Sequence, residues 1–123
     1  MTLIICEIFR KSIRLIIFTM IGKDMTLTVI ATLHPRDGLR DEVLAAALTA
    51  VPQVLAENGC LSYEPHTVGR DGLIIVESWA SSDALKAHGS GPVLANFQTS
   101  VEGLVTAPSD VLVARPAERP MTD

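Results

Sequence analysis

Cys60-Leu61-Ser62-Tyr63-Glu64-Pro65-His66-Thr67-Val68, the turn Gly69-Arg70-Asp71-Gly72, and Leu73-Ile74-Ile75-Val76-Glu77-Ser78-Trp79 read as two successive strands. Pro65 has no backbone N–H to give to a ladder, which predicts that the first of these strands lies at a sheet edge. The second is apolar on both parities, with Leu73, Ile75 and Trp79 opposed by Ile74 and Val76. Such a strand needs cover on both of its faces.

Toward the N-terminus, Thr26 to Leu33 alternates Leu27, Val29, Ala31 and Leu33 with Thr28, Ile30 and Thr32, another period-2 strand that ends at His34-Pro35-Arg36-Asp37-Gly38. From Leu39 the residues Val43, Leu44, Ala47, Leu48, Val51, Val54 and Leu55 recur at helical spacing. Pro52 removes one donor inside that helix, and Glu57-Asn58-Gly59 stops it. Toward the C-terminus, Ser81 or Ser82 with Asp83 caps a short helix, Asp83 to His88, broken by Gly89-Ser90-Gly91. Pro92 then opens a helix expected to run to about Val105, with Val93, Leu94, Phe97, Val101, Leu104 and Val105 inward. Asp110 to Arg115 is the last strand. The order β-α-β-β-α-β predicts an α+β, ferredoxin-like sandwich: an antiparallel four-stranded sheet with helices on one face. Helices on one face leave the other bare, so a homodimer packed sheet to sheet is expected.

The chain has 123 residues, enough for one domain. With 48% hydrophobic and 20% charged residues it belongs to the globular class. Five aromatic residues and a net charge of -4 argue against nucleic acid as a partner, because phosphate backbones select basic surfaces. The charge is unevenly spread. Residues 1–24 carry Arg10, Lys11, Arg14 and Lys23 against Glu7 and Asp24, a net of +2, so the remainder holds -6.

Within that first segment the apolar runs around Leu3 to Ile5 and Leu15 to Ile17 are separated by basic residues. Neither reaches the roughly 18 apolar residues of a membrane span. Residues 1–24 are therefore expected to be a basic amphipathic extension rather than a membrane anchor. Met25-Thr26-Leu27 echoes Met1-Thr2-Leu3, which makes Met1 an expected upstream start. Residues 25–116 form the expected domain and 117–123 a tail. The two cysteines, Cys6 and Cys60, lack the spacing of a disulfide framework or metal site, and a reducing cytoplasm is the expected compartment.

Glu57-Asn58-Gly59-Cys60-Leu61-Ser62-Tyr63-Glu64-Pro65-His66, then Glu77-Ser78-Trp79, then Ala84-Leu85-Lys86-Ala87-His88 resemble the antibiotic biosynthesis monooxygenase (ABM) domain family. The likeness is greatest to its small stand-alone quinol monooxygenase type, and it covers roughly residues 25–116. The resemblance implies a dimeric α+β barrel that oxygenates quinol-like or polyketide-like aromatics with dioxygen and with no metal, haem or flavin. This chain departs from the family pattern in two places. Gly91-Pro92-Val93 stands where many members carry a further histidine, and Thr26 to Leu33 lacks the asparagine of the haem-degrading branch, which disfavours haem cleavage.

Chemistry of that kind needs an apolar pocket, removal of a phenolic proton, and protonation of a leaving oxygen. His88, at the end of a short helix, is the candidate proton shuttle; its plainer role is to complement the helix dipole. Glu77 shares a face with Leu73, Ile75 and Trp79. A carboxylate there is costly without a partner, so it either pairs with an Arg, a helix-end amide or a second protomer, or acts as an orienting group or base with a raised pKa. His88 and Glu77 are the catalytic candidates.

Trp79, Tyr63, Asn96 and Phe97 are the substrate-binding candidates: a flat wall, a phenol donor, a pocket amide and an apolar contact. Tyr63 and His66 lie on opposite parities, so only a bulge brings both to one cavity. His66 and His34 read as surface or loop residues and Cys60 as a small buried hydrophobe. No Gly-rich phosphate loop, serine elbow or metal-ligand cluster is present. The function expected is a cofactor-independent monooxygenase of a quinol or polyketide-like phenol. The alternatives are an isomerase of a small carbonyl compound and a non-catalytic ligand-binding dimer.

Overall fold

A computed structural model describes residues 26–118. The expectations for residues 1–24 and for the last five residues lie outside the described residues. Strand β1 is Leu27–Leu33, helix α1 Arg40–Leu55, β2 Cys60–Val68, β3 Gly72–Trp79, α2 Ser82–Gly89, α3 Pro92–Ser100 and β4 Asp110–Ala114. The strands form one antiparallel sheet in the order β2-β3-β1-β4. The Pro65 strand is at an edge, where its missing N–H leaves no broken ladder bond.

Alternation sets the two faces. Leu27, Val29, Ala31 and Leu33 of β1 and Leu73, Ile75, Glu77 and Trp79 of β3 are all buried on the helix side. Val43, Ala47, Ala50 and Val54 of α1, recurring every three or four residues, are buried from the helical side. The register carries a row of apolar side chains across the opposite face, with Val76 beside Ile30 and Ile30 beside Leu112. Leu112 is 60% exposed there.

Helix α3 is shorter than its apolar spacing predicts: it ends at Ser100, not near Val105. Gly103 takes the left-handed conformation, φ 88°, which reverses the chain. Leu104 N–H bonds back to the Val101 carbonyl at 2.8 Å, and Val105 bridges to Pro35. Leu104 and Val105 still pack on the core, but from a strap over residues 101–109. That strap is held to the loop after β1 by Arg36 N–H to Leu104 O and Thr106 N–H to His34 O, each 2.8 Å. The His34 imidazole and Asp110 carboxylate meet at its far end, 2.9 Å apart.

Ser81 is the cap of α2, its hydroxyl accepting from Ala84 N–H at 3.1 Å. The irregularity in β2 falls between Cys60 and Ser62 rather than at Pro65. Tyr63 is accordingly buried opposite Glu77, while His66 is exposed. Among the described residues no helix is long and apolar enough to cross a membrane.

Candidate active site

A cavity of about 590 Å³ lies between the sheet, helices α2 and α3, and the strap. Its walls are mostly apolar, with Val29, Leu33, Ile75, Leu85, Leu94 and Phe97 among them. Into this lining β2 delivers Tyr63, β3 delivers Glu77 and α2 delivers His88. A cavity of this size with a few convergent polar groups suits a small organic ligand.

His88 is fixed from two sides. Its Nδ1 lies 2.6 Å from Oε1 of Glu57, and its ring lies tilted over Trp79 with centroids 4.7 Å apart. A carboxylate only accepts, so the proton of the short bond sits on Nδ1 and Nε2 is left as the imidazole's open position. Tyr63 meets the same ring edge to face at 5.9 Å.

Glu57 reaches His88 because the turn after α1 closes tightly on α2. Gly59, at φ 82°, has no side chain; a Cβ there would collide with that of Ala84, one helical turn before His88.

Trp79 is fully buried and donates from Nε1 to Oε1 of Glu77 at 2.8 Å. This bond gives the buried Glu77 carboxyl a hydrogen-bond partner, and it comes from the same strand face. Burial pushes the Glu77 carboxyl above its ordinary range, while the Trp79 bond and the nearby His88 pull it back. Burial, reinforced by Glu77 and Glu57, also raises the Tyr63 phenol, so at neutral pH its hydroxyl keeps its proton and is able to donate a hydrogen bond. Its hydroxyl makes no hydrogen bond among the described residues. Burial raises the Cys60 thiol as well, as suits an unreactive thiol.

Of the residues singled out in the sequence, His88, Glu77, Tyr63 and Phe97 meet at the cavity. Trp79 stands behind His88 instead of forming a wall. Asn96 is exposed on α3 and turned away from the lining; its neighbours Phe97 and Gln98 line the cavity in its place. Glu57 is absent from the sequence candidates, although it stands in the helix stop. Its one sequence signal is its position as the first residue of the resembling motif. Among the described residues no group of three or more His, Cys, Asp or Glu side chains could hold a metal ion.

A family model described as "Antibiotic biosynthesis monooxygenase" matches residues 26–100. The chain is 33% identical over 89 residues to "Probable quinol monooxygenase YgiN" of Escherichia coli K12, a match covering 63% of this chain and 86% of that one. It is 31% identical over 93 residues to "Putative monooxygenase Rv0793" of Mycobacterium tuberculosis, covering 75% and 92%. The solved structure of Rv0793 superposes with a TM-score of 0.68 at 29% identity, covering 78% of this chain and 99% of that one. The crystal structure of PA3566 from Pseudomonas aeruginosa shares the fold, with a TM-score of 0.68 at 23% identity over 76% of this chain and 96% of its own.

Proposed function

The chain belongs to the antibiotic biosynthesis monooxygenase family, and on that premise we propose that it oxygenates a quinol or related phenol with dioxygen, using no metal or organic cofactor. The observation that carries this reading is His88 in the wall of an apolar cavity, oriented by Glu57 and backed by Trp79. Loss of a phenolic proton makes the ring electron-rich enough to reduce dioxygen itself. Nε2 of His88 takes that proton, and the Tyr63 hydroxyl donates to a substrate oxygen. For a hydroquinone the balance is one hydroquinone and one dioxygen giving one hydroxyquinone and one water. One oxygen atom enters the ring, the other leaves as water, and the substrate supplies the electrons.

The reading extends to assembly and compartment. The row Val76, Ile30 and Leu112 on the face away from the helices supports a dimer packed sheet to sheet. The free Cys60 and the lack of any disulfide framework in the sequence support a reducing cytoplasm.

Aerobic incubation with a panel of hydroquinones tests the activity, read by oxygen uptake and by a product one oxygen heavier and two hydrogens lighter. Turnover that His88→Ala lowers about 10²–10⁴-fold is expected. An inert panel, or a His88→Ala variant as active as wild type, refutes the assignment. Turnover of a small carbonyl compound without oxygen would identify an isomerase instead.

A further inference from the structure

We propose that the cavity admits an uncharged phenolic ring and rejects its anionic counterpart, with Glu77 and Glu102 as the residues that set this preference. The inference rests on the phenol-oxygenating reading and specifies which phenols the site takes.

The charge inventory of the lining carries it. The described residues around the cavity include two carboxylic side chains, Glu77 on the sheet floor and Glu102 on the strap, and no lysine or arginine. His88, the one lining group able to carry positive charge, has its Nδ1 proton committed to Glu57. Arg36 is not among the lining residues; its Nε donates to the Gly103 carbonyl of the strap at 3.1 Å. A ligand carboxylate or sulfonate entering this space would give up its water and meet apolar side chains and carboxylic groups, with no lysine or arginine of the lining in return. Sites that hold such groups normally supply a guanidinium or ammonium for them.

The polar groups that are present fit a neutral hydroxyl. Oε1 of Glu77 is occupied by the Trp79 N–H, which leaves Oε2 to accept from a ligand O–H. The Tyr63 hydroxyl, free among the described residues, donates to a ligand oxygen. A neutral hydroquinone satisfies both demands, whereas an acidic substituent adds a charge that the walls cannot pair. Specificity here comes from what the site withholds as much as from what it offers.

The test compares gentisamide, a hydroquinone carboxamide, with gentisate, the isosteric carboxylate, by anaerobic titration calorimetry at mildly alkaline pH on the full chain. Wild type is expected to bind the amide at least about tenfold more tightly. Gln98→Arg, which puts a guanidinium into the lining from an exposed position on α3, and Glu102→Gln on the exposed strap are each expected to narrow that ratio. Gentisate binding as tightly as gentisamide, binding of neither compound, or a ratio unchanged in both variants would overturn the proposal. The two readings separate when air is admitted. Amide binding without oxygen uptake leaves the charge preference standing and removes the oxygenase reading; oxygen uptake with gentisate preferred does the opposite.

Discussion

Oε1 of Glu57 and Nδ1 of His88 stand 2.6 Å apart although 31 residues separate them in the chain. The bond joins the turn after α1 to the last turn of α2, and it makes the imidazole's tautomer a property of the fold. Replacing Glu57 by Gln keeps the shape but offers an amide that can donate as well as accept, so Nδ1 is no longer obliged to hold the proton. Glu57→Gln is expected to lower kcat on a hydroquinone substrate, by less than the roughly 10²–10⁴-fold expected for losing the imidazole. It should leave KM nearly unchanged and shift the pH profile of kcat. An unchanged profile with normal kcat would reduce Glu57 to a packing residue.

Gly59 makes that bond sterically possible. Alanine there meets two penalties, the positive φ and the collision with Ala84. The left-handed conformation alone costs a non-glycine residue about 1–2 kcal/mol. Gly59→Ala should lower stability by at least that amount in urea denaturation followed by circular dichroism, and should reproduce the kinetic defect of Glu57→Gln. Wild-type stability would mean that the turn and α2 separate at little cost.

The raised Glu77 carboxyl has a signed consequence for stability. Because burial favours its neutral form, the folded state binds more protons than the unfolded state from its unfolded value, near 4.5, up to its higher folded value. Its contribution is therefore fully present below that window, is lost as pH rises through it, and is absent above. Glu77→Gln keeps an acceptor for the Trp79 N–H without the ionisation. The difference in Tm between variant and wild type should move in the variant's favour as pH rises through the window. A constant difference from acid to alkaline pH would show that Glu77 does not titrate differently in the folded state.

Leu112 tests the proposed pairing of sheets. A charge at the end of the row Val76, Ile30 and Leu112 would be driven against an apolar surface in a dimer but only into water in a monomer. Leu112→Glu should change a dimer into a folded monomer in sedimentation velocity at micromolar concentration, with its circular dichroism preserved. A variant that sediments like wild type would place any dimer contact elsewhere.

Much of this architecture is legible from periodicity. The two-residue repeat of Leu73, Ile75, Glu77 and Trp79 puts a carboxyl beside a tryptophan on the covered face, and the Nε1 bond follows from that adjacency. Pro65 marks its strand as an edge, and the Gly89-Ser90-Gly91 break separates α2 from α3. Periodicity misleads where one spacing serves two structures. Val101, Leu104 and Val105 repeat as a helix would, yet Gly103 turns the chain and they pack from the strap. On α3, where each residue turns about 100° around the axis, Phe97 and Gln98 fall on the cavity side and Asn96 falls outside it, an orientation that the local apolar pattern does not specify. Glu57 is invisible to local pattern because its partner is brought to it by a tertiary closure, which Gly59 permits without announcing where it leads.

The tilted contact between Trp79 and His88 also has an optical consequence. Trp79 is the chain's single tryptophan and is shielded from solvent, so the emission of the whole chain is that of one indole in one environment. An imidazolium close to an excited indole accepts its electron and quenches it, and neutral imidazole does so far less. With the imidazole ring 4.7 Å away and Nε1 bonded to the Glu77 carboxyl, the intensity of that emission reports on the charge and packing of the candidate site. The protein thus carries its own dye-free reporter on the site proposed to move the proton.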